Sequence, residues 1–140
     1  MKPALLDTNV LLALAWPNHQ HHASAHQWFR REARYGWASC AVTQLGFIRL
    51  SSNPAYTDAA VRPAEAATLL HEWTQHEKHA FWPSPAADRS SVYALALGHQ
   101  QVNDAYLLDV AKARRGRFVT FDRRLQVHAA EEGLVLVISG

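Results

Sequence analysis

Short apolar segments alternate along the chain with longer segments in which apolar residues recur at helical spacing. The short segments predict buried strands at positions 1–6, 37–42, 80–82, 117–121 and 134–138. β-branched and aromatic residues, which favour strands, support the fourth of these. Strands that are apolar without polar alternation are typical of a parallel sheet that is buried on both faces.

The longer segments predict helices, because their apolar residues fall on one face of a helix. The predicted helices span 10–16, 24–35, 44–50, 63–73, 88–97, 104–115 and 125–132. Thr43 and Asn103 are predicted caps for the third and sixth of these, and Asp88 for the fifth. Gly116 is predicted to close the sixth helix in the C′ position. The alternating order indicates an α/β fold, which we expect to form one domain over residues 1–140.

Three aspartates stand at the ends of these segments. Asp7 closes the first strand, Asp122 closes the fourth, and Asp104 opens a helix. Right-handed crossovers bring the carboxyl ends of parallel strands to one edge, where active sites gather, so we expect the three carboxylates to meet there. Their charges repel one another unless a cation or protons offset them. A hard divalent ion such as Mg²⁺ prefers oxygen ligands and favours phosphate chemistry.

Each of these residues also has a structural interpretation. Asp7, Asp104 and Asp122 are all residues that cap helices or begin turns well. Thr120 lies two residues before Asp122 on the same side of the strand, where its hydroxyl is able to hold a water or orient a carboxylate. Its alternative role is that of an ordinary β-branched strand residue. The sequence leaves both interpretations open, although the joint occurrence at one edge favours a site.

The formal net charge of +2 does not by itself indicate a nucleic-acid-binding protein. The basic residues are nevertheless concentrated in one window, which holds Lys112, Arg114, Arg115, Arg117, Arg123 and Arg124. Such a run is either a solvated helix terminus and loop, or a source of phosphate attraction beside the acidic residues.

The chain contains one cysteine, Cys40, which fits a reducing compartment because one thiol cannot form an internal disulfide. Asp7 interrupts the N-terminal apolar run, so no signal peptide is expected. Apolar runs also stay well below the roughly 20 residues that span a bilayer. We therefore expect a cytoplasmic protein without membrane association.

A dense group of histidines occupies positions 19–26. His22 and His26 are four residues apart, a spacing that zinc sites use. Because neither cysteine nor acid accompanies them locally, we interpret these histidines as surface or helix-entry residues.

Four segments together resemble a PIN-domain ribonuclease, and specifically a VapC-type toxin of bacterial toxin–antitoxin pairs. They are LLDTNV at 5–10, VTQLGFIRL at 42–50, NDAYLL at 103–108 and VTFDR at 119–123. The resemblance implies a three-layer α/β/α fold, dependence on Mg²⁺ or Mn²⁺ and endonucleolytic cutting of RNA. It also implies a cognate VapB-like antitoxin, whose C-terminal segment covers the active site, and a toxin homodimer.

The resemblance further implies roles for individual residues. Asp7 and Asp104 would be the principal metal ligands, Asp122 would complete the acidic site, and Thr120 would support it. Asn9 matches the family's small polar residue after the first aspartate, and it would order a water or Asp7.

One position departs from the family pattern. Gln44 stands where a glutamate is usual, and an amide keeps an oxygen acceptor but loses the negative charge. Gln44 is thus a candidate for the outer surroundings of the metal, while Arg49 and Arg123 are candidate RNA contacts. The missing charge also supports an alternative function, a catalytically weakened module that binds RNA or an antitoxin.

Overall fold

A computed structural model describes residues 2–128 and 133–139, with backbone alone at 126–128. The strands in these ranges are β1 Ala4–Leu6, β2 Trp37–Ser39, β3 His79–Phe81, β4 Arg117–Thr120 and β5 Val135–Val137. The α-helices are α1 Thr8–Ala15, α2 His22–Glu32, α3 Ala41–Ser51, α4 Pro63–Thr74 and α5 Val102–Ala113. Short 3₁₀ helices lie at Ala33–Tyr35, Ser90–Tyr93, His99–Gln101 and Arg123–His128.

The five strands form one sheet in the order β3-β2-β1-β4-β5, and every neighbouring pair is parallel. In the centre, Leu5 of β1 lies between Ala38 of β2 and Phe118 of β4. The predicted parallel α/β fold is confirmed. Since β1 and β4 are neighbours with Leu6 opposite Val119, the residues that follow them emerge side by side at one edge.

The alternation along the central strands feeds two separate cores. Leu6 and Val119 point to the face covered by α1, α2, α3 and α4. Leu5 and Phe118 point to the opposite face, where α5 packs. Burying each such side chain stabilises the folded protein by about 1.5–3 kcal/mol. The sheet is therefore packed on both faces, which fixes the position of its carboxyl edge.

The start of α3 differs from the prediction. β2 ends at Ser39, the helix begins at Ala41, and Cys40 rather than Thr43 occupies the N-cap position. Thr43 lies in the first turn, where its hydroxyl accepts the Cys40 backbone N–H at 3.1 Å and donates to the Cys40 carbonyl at 3.1 Å. The hydroxyl therefore caps from inside the helix, because it reaches back to the N-cap backbone as in a capping box.

Two more predictions about helices were wrong. The helix expected at 88–97 is only the 3₁₀ turn Ser90–Tyr93, and Leu95 and Leu97 remain 63% and 92% exposed. Without apolar burial a short helix is not stable. α5 begins at Val102, directly after a 3₁₀ turn, so Asn103 lies inside the helix rather than at its cap.

The junction between α5 and β4 also differs. Arg115, not Gly116, takes the left-handed conformation after the helix, with φ of 53°. Gly116 is required for a different reason, since a Cβ there would lie 2.8 Å from the Pro3 carbonyl oxygen and 2.7 Å from the Trp82 ring. The helix predicted at 125–132 is the 3₁₀ helix Arg123–His128, and positions 129–132 lie outside the described residues. Among the described helices, each is too short or too polar to traverse a lipid bilayer.

Candidate active site

Asp7 sits where β1 passes into α1, at the carboxyl edge of the sheet. Its backbone N–H donates to the Val119 carbonyl at 2.9 Å, which extends the β1–β4 pairing by one residue. One carboxylate oxygen, Oδ1, accepts the Thr8 N–H at 2.8 Å, so Asp7 caps α1. The other oxygen, Oδ2, accepts the Thr120 hydroxyl at 2.7 Å. The carboxylate is therefore held by both neighbouring elements.

Thr120 is the hub of this arrangement and is fully buried. Besides donating to Asp7, its hydroxyl oxygen accepts the Asp122 backbone N–H at 3.1 Å and the Asn9 side-chain amide at 3.4 Å. Asn9 in turn accepts the Phe121 N–H at 3.4 Å. The hydroxyl thus fixes Asp7 and the backbone beyond β4 together, a role that a purely structural strand residue does not require.

The charges around Asp7 act on its pKa. That pKa is raised from 3.8 to about 6, chiefly by burial, and the negative charges of Asp104 and Asp122 contribute to the rise. The hydrogen bonds from Thr120 and Thr8 oppose the rise. Asp104 and Asp122 are thus near enough to act on Asp7, and a cation in the space between them would relieve the repulsion.

Asp104 approaches the site from the first turn of α5. It is half-buried and lines a cavity of about 270 Å³ whose walls are mainly apolar and include Leu95, Leu108 and Leu125. The acidic residue therefore stands at the rim of a pocket on the α5 face of the sheet.

Asp122 follows β4 and is already paired with Arg124. Its Oδ1 accepts the Arg124 backbone N–H and Nε, both at 3.0 Å, and its Oδ2 accepts Nη2 at 2.8 Å. The guanidinium lowers the pKa of Asp122 below its usual value. The Asp122 side chain is 21% exposed, whereas that of Arg124 is 80% exposed. The ion pair therefore lies at the mouth of the site.

The donor set fits a hard divalent cation in its chemistry, since it consists of carboxylates, and two of them, Asp104 and Asp122, lie near enough to raise the pKa of Asp7. The geometry is less complete. Over residues 2–128 and 133–139, no three His, Cys, Asp or Glu side chains are arranged as they stand to hold a metal ion. Asp7 and Asp104 are the better candidates for ligands, because the Asp122 carboxylate carries its own counterion.

Gln44 lies on the first half of α3, and its amide donates to the Ser39 hydroxyl at 3.0 Å. Ser39 lies 2.8 Å from the His79 Nε2. The serine oxygen accepts from Gln44 and has a second lone pair, so the tautomer of His79 sets which partner donates in the Ser39–His79 hydrogen bond. Burial and the charge of His76 lower the pKa of His79, in agreement with a neutral ring. The structure therefore places Gln44 in a neutral polar network at the end of β2.

The basic window separates into two groups at opposite edges of the sheet. Arg117 and Thr120 are the two ends of β4, roughly 10 Å apart for an extended strand. Arg117 is buried and lies 3.1 Å from Glu32, so it joins β4 to α2. Of the window, Arg123 and Arg124 alone follow the carboxyl end of β4. Phosphate attraction beside the acidic residues therefore concerns these two arginines and Lys112, which lines the same cavity as Asp104.

The other candidates are placed as follows. Arg123 is exposed and begins the 3₁₀ helix after Asp122, and Arg49 is exposed in the last turn of α3. Arg124 was not predicted from the sequence as a partner of Asp122, although its position two residues later is typical of such a contact. That spacing allows a turn in which the carboxylate accepts both backbone and side-chain N–H groups.

The histidine group has a structural role at the end of α1. A ring nitrogen of His22 lies 2.7 Å from the Ala13 carbonyl oxygen, and one of His26 lies 2.8 Å from that of Leu14. These carbonyls belong to the last turn of α1 and have no partner within the helix. The two imidazoles therefore satisfy them, which agrees with the helix-entry interpretation.

Comparison with known proteins places this geometry in a family. The sequence model of the PIN domain matches residues 4–131. The chain is 41% identical to ribonuclease VapC39 of Mycobacterium tuberculosis, over 96% of this chain and 99% of that protein. It is 43% identical to ribonuclease VapC44 of the same species, over 90% of each chain.

Two solved structures share the fold at low sequence identity. VapBC2 from Rickettsia felis, bound to a DNA fragment from its promoter, superposes with a TM-score of 0.66 at 13% identity, over 98% of this chain and 99% of that chain. PAE2754 from Pyrobaculum aerophilum gives a TM-score of 0.61 at 22% identity, over 96% of this chain and 83% of that chain. With its parallel sheet, its strand-end aspartates and these relatives, the chain belongs to the PIN-domain family, in the VapC group.

Proposed function

We propose that the protein is a metal-dependent endoribonuclease and the toxin of a VapBC-type toxin–antitoxin pair. The observation that carries the proposal is the Asp7 carboxylate, which is fixed at the sheet edge and has its pKa raised to about 6 in the company of Asp104 and Asp122. Such a concentration of negative charge favours a divalent cation and, through it, a phosphodiester substrate. The relatives named ribonucleases support RNA as that substrate.

The residues divide the work as follows. Asp7 and Asp104 would hold Mg²⁺ or Mn²⁺ through carboxylate oxygens, and Asp122 would complete the set. When bound, the ion supplies an activated water and neutralises charge on the phosphate and leaving oxygen. Thr120 orients the Asp7 carboxylate through its 2.7 Å hydrogen bond, and Asn9 holds the backbone after β4. These contacts fix Asp7 before substrate arrives, which lowers the reorganisation needed at reaction.

Substrate binding would use the basic side chains at the same edge. Arg123 is exposed beside the acidic residues and is able to meet a phosphate. Arg49 is a second candidate, on the exposed face of α3. Each contact of this type predicts RNA binding that weakens as salt concentration rises.

We further infer a VapB-like antitoxin as the partner. The exposed Leu95 lines the cavity that contains Asp104, and the exposed Leu97 follows two residues later, so an apolar segment of a partner would cover the cavity and this apolar surface. VapBC2 of Rickettsia felis, which shares the fold, was solved as such a pair with promoter DNA. A toxin homodimer remains a prediction that sedimentation of the purified chain tests.

The test is a cleavage assay with purified protein, tRNA or rRNA, and Mg²⁺. Asp7→Asn and Asp104→Asn remove a carboxylate charge from the site, while Asp58→Asn removes one from an exposed loop position and is the matched control. We expect cleavage by the wild type and Asp58→Asn, none with EDTA, and cleavage reduced by about 100-fold or more in either site variant. Equal cleavage by all four proteins would reject the proposal.

A second function has specific support. The Asp122–Arg124 ion pair reduces the negative charge available to a metal, and Gln44, a neutral amide that donates to Ser39, adds none. A non-catalytic module that binds RNA or an antitoxin is consistent with both. Such a module would bind RNA in a salt-sensitive manner without cutting it. Metal-dependent cleavage by the wild type that is lost in Asp104→Asn would exclude this second function.

A further inference from the structure

Arg124 makes a complete set of contacts with Asp122. Its guanidinium donates through Nε and Nη2 to the two carboxylate oxygens, at 3.0 and 2.8 Å, and its backbone N–H donates at 3.0 Å. Two parallel hydrogen bonds of this kind are the strongest arrangement open to an arginine and a carboxylate. The hydrogen bond and charge of Asp122 are the main causes of the raised pKa of Arg124, and the charge of Asp104 adds a smaller contribution. Arg124 therefore lies in the field of two of the three aspartates.

The contact uses the same oxygen atoms that a metal would need. A carboxylate held at both oxygens by a guanidinium has few free lone pairs for a cation. The Arg124 side chain is 80% exposed, so it is able to leave Asp122 without disturbing the core. Its backbone contact belongs to the turn after β4 and keeps the carboxylate positioned when the guanidinium moves.

We propose that Arg124 is an internal counterion that competes with a divalent metal for Asp122, so that the acidic site gains its third carboxylate only when the guanidinium withdraws. The proposal rests on the metal-dependent function proposed above and adds a control on its metal affinity. It also gives a reason why Asp7 and the two carboxylates that act on it are not arranged, among the described residues, as a ready metal site.

The test compares Mn²⁺ binding by Arg124→Gln and Arg123→Gln in titration calorimetry, without RNA. Both residues belong to the same 3₁₀ helix and are exposed, so each variant removes one positive charge beside Asp122. Only Arg124→Gln removes the contact with the carboxylate. We expect this variant to bind Mn²⁺ more tightly than Arg123→Gln by about 1.4-fold to fivefold, the range for a solvent-exposed ion pair. Equal affinities, or weaker binding by Arg124→Gln, would overturn the proposal.

A second comparison asks whether the effect passes through Asp122. In an Asp122→Asn background the competed carboxylate is gone, so adding Arg124→Gln is expected to leave Mn²⁺ affinity unchanged. If the added substitution tightens binding as much as it does alone, Arg124 acts on another group and the competition is refuted. Thermal unfolding of each variant, compared with the wild type, verifies that the folded proteins are being compared.

The result is separable from that of the proposed function. If Asp7→Asn and Asp104→Asn bind Mn²⁺ as the wild type does, the metal site itself is wrong. If those two substitutions weaken binding but Arg124→Gln and Arg123→Gln behave alike, the metal site stands and the counterion role alone is rejected.

Discussion

Asp7 and Asp122 follow neighbouring strands at one sheet edge, yet their environments are opposite. Asp7 is surrounded by neutral donors, Thr8 and Thr120, and its pKa rises to about 6. Asp122 is held by the Arg124 guanidinium, and its pKa falls. Within residues 2–128 and 133–139, Asp122 has an arginine counterion and Asp7 has none. The comparison teaches that the site's need for a cation is concentrated at Asp7, where burial and like charges combine.

The largest effect is expected from Asp7→Asn. This substitution should reduce RNA cleavage by about 10²- to 10³-fold, since it removes several kcal/mol of charge stabilisation through the metal. Without metal, however, the same variant should be more stable than the wild type by about 1–3 kcal/mol at pH 7.5, because the buried charge is gone. Urea unfolding in EDTA measures the second effect. A less stable variant would show that Asp7 is not strained in the folded protein.

The wild type should show the corresponding pH dependence in EDTA. The folded-state pKa of Asp7 lies above its unfolded value of 3.8, so the folded protein binds the proton more tightly. This contribution to stability is therefore fully present below pH 3.8 and is lost as the pH rises to about 6, by about 3 kcal/mol in total.

Other groups titrate in the same range, so the decisive quantity is the difference between wild type and Asp7→Asn. We expect that difference in unfolding free energy to grow between pH 4 and pH 7 and to shrink when Mg²⁺ is added. A difference that does not vary with pH would contradict the raised pKa.

Thr120→Val should have an intermediate effect, because it deletes the hydroxyl that joins the two aspartates. The Asp122 N–H and the Asn9 amide lose a buried acceptor, at a cost of about 1–3 kcal/mol in unfolding free energy. Metal affinity should fall about 10- to 100-fold, as for other residues that orient a ligand. Thr120→Ser keeps the hydroxyl and is the matched control. If Val and Ser bind metal equally, the hydroxyl does not orient Asp7.

The smallest effect is expected at Asp122, the carboxylate that is paired with Arg124. Arg124→Gln should raise the pKa of Asp122 towards its ordinary value, because the guanidinium is the largest cause of the lowering. Arg123→Gln should leave it nearly unchanged. Carboxyl ¹³C NMR titration of both variants measures the shift, and an identical Asp122 pKa in the two would show that the ion pair does not form in solution.

Much of the fold was accessible from the sequence, because buried parallel strands are continuous apolar runs. Each predicted strand has a counterpart among the described residues, and Asp7 lies at the strand end where the pattern placed it. Helix limits were less accessible. The N-cap at Cys40 depends on the Thr43 hydroxyl, which accepts the Cys40 backbone N–H. The helix expected at 88–97 does not form because Leu95 stays exposed instead of packing against the core.

The sequence predicted which residues lie at this edge of the sheet but not the balance of charge among them, and their roles in a site stay a prediction. The edge position of Asp7 and Thr120 follows from strand periodicity, whereas the pairing of Asp122 with Arg124 rather than Arg123 depends on the turn after β4. The basic window looked continuous in sequence, yet the length of β4 moves Arg117 to the opposite edge. Residues that are close in sequence lie at opposite edges of the sheet when an extended strand separates them.

The most direct test of the account is the pKa of the Asp7 carboxyl, measured by ¹³C NMR in the metal-free protein and in Asp104→Asn. The account predicts a value of about 6 in the wild type, a lower value in Asp104→Asn, and a fall when Mg²⁺ is added. A wild-type pKa near 3.8 that responds neither to Asp104→Asn nor to Mg²⁺ would contradict a shared electronegative site at this edge of the sheet.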